Sequence, residues 1–209
     1  MTPSRPRSCR ERQTVNFLFH MFLSGDDPDL LTGNFMGDFV KGPLGDAYPP
    51  RIRQGLRLHR DIDSFAQGNA DFQASRLRLS SDCGLYRGVL VDLFYDHFLA
   101  REWDSRSDMP FPDFLSWARE IIDERLAIMP LKLRDFVPAV FEELLPTYKS
   151  AAGIEAALAR MSRRVRRPNP LAEGGKELTR HYGELKSDFD RFITAAQLFS
   201  AERITRGND

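Results

Sequence analysis

Val89-Leu90-Val91-Asp92-Leu93-Phe94-Tyr95-Asp96-His97-Phe98-Leu99 decides how this chain is read. The stretch is apolar almost all the way round a helix, the mark of a helix buried inside a bundle. It nevertheless carries two carboxylates and an imidazole. Asp92 and Asp96 are one turn apart and share a face, and neither has a Lys or Arg three or four residues away. An unpaired buried carboxylate is costly, so the pair calls for a cation from elsewhere in the fold. A metal ion, an arginine or a protonated histidine would serve.

Working outward, the pattern is helix after helix, with no period-2 strand run, internal repeat or low-complexity linker. A first helix is expected over 14–24. Asp27 or Asp29 with Pro28 starts a second through Val40, stopped by Gly42-Pro43. Pro49-Pro50 opens a third to about Phe65, and a short helix covers Phe72–Leu79. The buried helix spans about Leu85–Arg101. Helices then follow over Pro112–Met129, Leu133–Leu145 with a kink at Pro138, Ile154–Val165, and Leu171–Arg203. In the last, Leu178, Tyr182, Leu185, Phe189, Phe192 and Ala196 make one apolar stripe. The expectation is an all-α single-domain helical bundle over 14–203, with flexible ends at 1–13 and 204–209.

Length and charge bound the function. A chain of 209 residues suits one domain with a sizeable core. Thirty basic and thirty acidic residues cancel, so recognition of an acidic partner must come from local patches. Cys9 and Cys83 form no metal or redox spacing, and a reducing cytoplasm is expected. The basic start followed by Val15–Leu23 imitates a signal peptide. Asn16 and His20 interrupt its apolar run, however, and Gly25-Asp26-Asp27 is no cleavage site. The run is also too short to cross a bilayer.

Other polar residues fall on faces that should be apolar. Ile52, Leu56, His59 and Asp63 follow helical spacing, so His59 and Asp63 extend an apolar stripe. A satisfied core His–Asp pair is the commoner meaning of such a couple. Asp61 is answered by Arg57 one turn earlier. Asp38 lies one turn after Asn34 and seven residues after Leu31, with Lys41 as its bland partner. Gly33 and Gly37 would let a neighbouring helix come close. His20 sits among Phe17, Leu18, Phe22 and Leu23, where a core histidine is the ordinary case.

Singly, each has a structural explanation; jointly, four helices place His or Asp where apolar residues belong. Several buried acids cannot neutralise one another, and a divalent cation resolves the charge. Mixed imidazole and carboxylate donors suit Mn²⁺, Fe²⁺, Zn²⁺ or Mg²⁺, with hard oxygens favouring Mg²⁺ or Mn²⁺. Such a site supports hydrolysis of phosphate esters. The chain lacks a phosphate-binding P-loop, a dinucleotide fingerprint and a nucleophile elbow. His181, between Leu178 and Leu185, reads as structural or as a support for the site. Arg53, Arg57 and Arg60 line one side of the third helix beside His59 and Asp63. Arg163 and Arg164 belong to a second basic cluster. A solvated charged face is the usual meaning of such runs, and docking of an acidic partner is the functional one.

At these residues the chain resembles the acyl carrier protein phosphodiesterase family. The resemblance lies in Asn16-Phe17-Leu18-Phe19-His20, in Gly33-Asn34-Phe35-Met36-Gly37-Asp38-Phe39-Val40-Lys41-Gly42, and in Leu58-His59-Arg60-Asp61-Ile62-Asp63. It continues through Val91–Leu99 and weakly through Met161–Arg164 and His181-Tyr182, and so covers about residues 15–195. It implies an HD-phosphohydrolase-like helical fold and a divalent metal, Mn²⁺ or Mg²⁺. The implied reaction removes 4′-phosphopantetheine from holo-acyl carrier protein. Asp96-His97 reverses the dipeptide for which the broader superfamily is named, so ligands are not carried over from it residue by residue.

The resulting expectation is one metal-centred pocket. Asp38, His59, Asp92 and Asp96 are the first choices as ligands. His20, Asp63 and His97 would bind, orient ligands or move protons. Arg53, Arg57 and Arg60 form the docking rim for the acidic carrier protein, with Arg163 and Arg164 as a second surface. Two rivals remain. One is a metal-dependent nucleotide or small-phosphodiester hydrolase. The other is a non-enzymatic helical module that binds an acidic protein or RNA through its arginines.

Overall fold

Pro28 and Pro50 each begin a helix, as a residue without an N–H does best in a first turn. The computed structural model describes residues 16–207, and it contains helices and turns with no strand among them. The expected tail at 1–13 lies outside the described residues. Helix α1 is short, Phe17–Phe22. Helix α2, Pro28–Met36, is capped by Asp27, whose side chain accepts the N–H groups of Asp29 and Leu30. A 3₁₀ turn over Gly37–Phe39 follows. Helices α3, Pro50–Gly68, and α4, Ala70–Arg78, share Asn69 as C-cap and N-cap. Helix α5, Arg87–Arg101, is the buried one: Leu90, Val91, Phe94, Phe98, Leu99 and Ala100 are fully inside.

Helix α6 runs over Phe111–Glu124, and Leu126–Ile128 is a 3₁₀ turn before Pro130. The expected helix at 133–145 is instead broken. A single turn, α7 (Leu131–Arg134), precedes α8 (Val137–Ala139), which opens into a π-turn at Val140–Leu144 and a 3₁₀ turn at Leu145–Thr147. Prolines 138 and 146 deprive the ladder of two N–H donors. Helix α9 is Ala151–Arg164. The expected last helix is also divided, into α10, Gly174–Arg180, and α11, Tyr182–Arg206. His181 breaks it, with φ −115° and ψ 23°. Helix α11 carries on through residues 204–206, where Gln54 Nε2 donates to the Ile204 carbonyl.

One core joins all of these elements. Two crossings matter for the site. Helices α2 and α3 touch backbone to backbone at Gly33 and Gly55; a Cβ on Gly33 would lie 2.2 Å from the Ile52 carbonyl oxygen. Helix α1 is tied to α5 at its start. Asp96 Oδ1 accepts the Phe19 N–H at 2.8 Å and Oδ2 accepts that of Leu18 at 3.3 Å. These are two of the N–H groups that a helix's first turn leaves without partners. No helix among the described residues is long and apolar enough to cross a membrane.

Candidate metal centre

His20, in the last turn of its short helix, faces His59 from α3. The two rings stack at 3.9 Å between centroids, 21° from parallel. Asn34 of α2 fixes both. Its side-chain N–H₂ donates to the His20 carbonyl at 2.7 Å and to Ser24 Oγ at 2.9 Å. That leaves Asn34 Oδ1 as an acceptor, so His20 Nδ1 donates to it at 2.7 Å. The Asn34 carbonyl oxygen likewise accepts from His59 Nδ1 at 2.8 Å. One residue thus sets both imidazoles to the same tautomer and leaves both Nε2 atoms free of that duty. Ligating histidines are oriented in this way.

Both Nε2 atoms turn to Asp63, one turn beyond His59. His20 Nε2 is 3.4 Å from Oδ1, and His59 Nε2 is 3.5 Å from Oδ2. The His20 approach is out of hydrogen-bond alignment, so this buried nitrogen has no hydrogen-bond partner among the described residues. The donor atoms of His20, His59 and Asp63 all lie within 4.8 Å of one another, a spacing that could hold a metal ion. Asp38, on the 3₁₀ turn after α2, borders the group, with Oδ1 3.8 Å from His59 Nε2 and 3.7 Å from Lys41 Nζ. Gly37 makes room, since a Cβ there would sit 2.0 Å from the His59 ring.

The charges agree with the geometry. Burial pulls the His20 pKa down, but its contacts with Asp63 and the nearby Asp38 outweigh that and raise it. Burial pushes Asp63 up, while His20, His59 and Lys41 together hold it below the ordinary carboxylate value. Asp92, on the inner wall, is raised well above its ordinary value by burial and then by Asp63, Asp38 and Asp96. It has no hydrogen bond or ion pair among the described residues. Between Asp63 and Asp92 lies a cavity of about 10 Å³, also lined by Asn16, Phe19, Tyr95 and Phe192. That is room for a single water.

The structure therefore brings His20, Asp38, His59, Asp63 and Asp92 to one place and engages Asp96 and His97 elsewhere. Both Asp96 oxygens are taken by helix N–H groups, and burial, against those bonds, pushes its pKa up to about 8. On α5, Asp96 thus answers its burial with the N-terminus of α1 rather than with a cation shared with Asp92. His97 donates from Nδ1 to the Tyr148 carbonyl at 2.7 Å and accepts at Nε2 from the Tyr182 hydroxyl at 3.0 Å. That hydroxyl in turn accepts from Arg101. Both ring nitrogens are occupied, and burial lowers the pKa, so His97 is a neutral core histidine. His181 lies at the break between α10 and α11.

The expected arginine rim is partly spent on the fold. Arg53 bonds the Gly45 carbonyl and Asp46, and Arg60 bonds the carbonyls of Val40 and Gly42. Arg164 lies over the Phe136 ring at 4.2 Å. Arg57 and Arg163 are exposed and have no ion pair among the described residues. Arg57 shares a surface groove with Asp61, Arg203 and Arg206. Asn34 is the residue that sequence reasoning left without a role; its place one turn before Asp38 on a buried face was the available signal.

Comparison with known proteins gives the family. The family model described as acyl carrier protein phosphodiesterase matches residues 15–196. A relative from Escherichia coli O157:H7 (strain EC4115 / EHEC), named acyl carrier protein phosphodiesterase, is 29% identical over 182 residues, which are 85% of this chain and 93% of its own. The protein of that name from Escherichia coli strain K12 / DH10B matches over the same shares at the same identity. No solved structure matches the chain. The matched span runs from the residue before Asn16 to Ala196 in α11 and takes in every side chain of the histidine–aspartate cluster, and on that basis the chain belongs to the acyl carrier protein phosphodiesterase family.

Proposed function

We propose that this protein hydrolyses the phosphodiester between 4′-phosphopantetheine and a serine of holo-acyl carrier protein, using a divalent metal held by His20, His59 and Asp63, with Asp38 and Asp92 at its edge. The family membership supports the substrate. The observation that carries the metal reading is the double use of Asn34, which occupies both Nδ1 atoms and turns the Nε2 atoms of two stacked histidines toward one carboxylate. Two imidazoles among carboxylates favour Mn²⁺ over Mg²⁺, since Mg²⁺ prefers all-oxygen surroundings. When bound, such an ion supplies positive charge to the phosphodiester oxygens and lowers the pKa of water.

The chain's own groups do the rest. His20 and His59 present their Nε2 atoms, and Asn34 keeps the two rings in register. Asp63 is half-exposed and held ionised, so its free lone pairs can take the proton of an attacking water. The water oxygen–phosphorus bond forms, the serine oxygen–phosphorus bond breaks, and the serine oxygen leaves with the proton that Asp63 took from the water, which returns the carboxylate to its ionised form. The 10 Å³ cavity admits water but no larger group, so the pantetheine arm lies on the open side, by Asp38 and Asp63. Of the expected docking arginines, Arg57 and Arg163 are exposed and available to an acidic carrier protein. The reaction belongs in the cytoplasm, and Cys83 is a free buried thiol consistent with a reducing compartment.

The test is to incubate holo-acyl carrier protein with the full-length chain and Mn²⁺ and to weigh the carrier. Loss of the phosphopantetheinyl mass, abolished by His59→Ala, is the expected result. An unchanged mass sinks the proposal, and nucleotide hydrolysis in its place would point to the small-phosphodiester rival.

A further inference from the structure

Lys41 stands over the cluster as an exposed cation on a stiff mount. Its ammonium is 3.7 Å from Asp38 Oδ1 and close enough to Asp63 to help hold that carboxylate ionised. The Lys41 side chain is 68% exposed, whereas Asp38 is 8% exposed. The lysine therefore marks the side from which a substrate must come. Its backbone is gripped from below: Arg60 Nη2 donates to the Val40 carbonyl at 3.2 Å and to the Gly42 carbonyl at 2.8 Å, the residues on either side of Lys41. Gly42 adopts φ +80°, a conformation glycine takes freely, and Pro43 fixes the next φ. An exposed surface lysine normally sweeps a wide volume and its ion pairs are weak. Here the peptide units around it are pinned by an arginine on the same helix as His59 and Asp63.

Resting on the reading above, we propose that Lys41 is the substrate's phosphate-binding residue and that Arg60 is a positioning residue acting through it. In the free protein Lys41 lies against Asp38. With substrate bound, its ammonium contacts a non-bridging oxygen of the phosphodiester. Charge-assisted bonds to phosphate are among the strong hydrogen bonds of proteins, and a positive group placed where charge develops contributes to turnover.

The test uses the full-length Mn²⁺-loaded chain with holo-acyl carrier protein. Lys41→Met keeps the stem and removes the charge; it is expected to lower kcat/KM by roughly 30- to 100-fold, with Mn²⁺ affinity unchanged or tighter. Lys41→Arg should retain activity within about fivefold. Arg60→Ala should lose about tenfold, mostly in KM, and Arg60→Lys should recover part of it. A Lys41→Met protein within about threefold of the parent overturns the proposal, as does a loss of activity matched by an equal loss of Mn²⁺ affinity. Should the parent protein leave the carrier's mass unchanged, the proposed reaction fails, and the Lys41 role is read on inorganic phosphate by calorimetry. Binding about tenfold weaker in Lys41→Met then supports it; equal binding overturns it.

Discussion

Replacing Asn34 by alanine tests the centre through the residue that holds it together. The change removes three side-chain hydrogen bonds, to His20 Nδ1, the His20 carbonyl and Ser24 Oγ, all in a site closed to solvent. Each is worth about 1 kcal/mol net, so roughly 3 kcal/mol of stability goes. For a chain of this size that lowers Tm by about 6–12 °C, and a domain with 5–15 kcal/mol to spare stays folded. The second effect is specific to a metal centre. Without its acceptor, His20 can take either tautomer and rotate, and Mn²⁺ affinity should fall roughly 10- to 100-fold. Ser24→Ala is the control. It removes the hydroxyl that donates to the His20 carbonyl and accepts from Asn34, so it should cost about 1–2 kcal/mol while Nδ1 stays bonded to Asn34. Thermal unfolding gives the stability and calorimetric titration gives the affinity. If Asn34→Ala melts early yet binds Mn²⁺ as tightly as the parent, or if Ser24→Ala loses affinity equally, the orienting role is refuted.

Three further outcomes follow from the same geometry. His97→Phe should leave Mn²⁺ binding intact while costing stability, because His97 serves Tyr148 and Tyr182; a calorimetric titration in which the metal is lost would return His97 to the site. Gly33→Ala forces a Cβ against the Ile52 carbonyl oxygen, and backbone cannot yield as a side-chain tip does, so about 1–3 kcal/mol is lost in chemical denaturation. A neutral result would show that α2 and α3 separate readily. Asp27→Ala should cost about 1 kcal/mol at neutral pH, since two N–H groups of α2 and Arg51 converge on that carboxylate. Burial pushes the Asp27 pKa up, but those partners outweigh it and hold it below 3.8. The folded state therefore binds this proton less tightly than the unfolded state. Its stabilisation is present above 3.8 and lost as pH falls through the depressed value. Denaturation midpoints of parent and variant should converge toward low pH; a constant gap would contradict the assignment.

The buried helix and the convergence of His20, Asp38, His59, Asp63 and Asp92 were legible because each breaks an apolar face, and burial without a partner is costly. Asp96 and His97 broke the same rule and met it differently. The N–H groups of α1 and the carbonyl of Tyr148 are partners with no side-chain signature, lying 77 and 51 residues away. Asp188 makes the converse point. It interrupts the apolar face of α11 and is fully buried, yet Arg78 and Arg191 neutralise it. Arg191, three residues on, is a partner that spacing along the helix shows; Arg78, 110 residues away, is not. Two arginines of the expected rim have partners hidden for a similar reason: Arg53 and Arg60 donate to carbonyls of the 40–49 loop, which only the folded path brings near. The divided helices at 131–147 and 174–206 depend on local prolines and on His181, where periodicity alone runs on.

The tie between Asp96 and the start of α1 also orders events in time. A helix of six residues does not persist alone in water, so His20 has no fixed address while the chain behind it is still being made. The N–H groups at the start of its helix find their carboxylate only when α5 exists, and its ring finds its acceptor only when Asn34 is in place. Each earlier stage of synthesis would present loose histidines that bind a metal weakly and in no set geometry. Competence arrives at once, when the middle of the chain closes over its beginning.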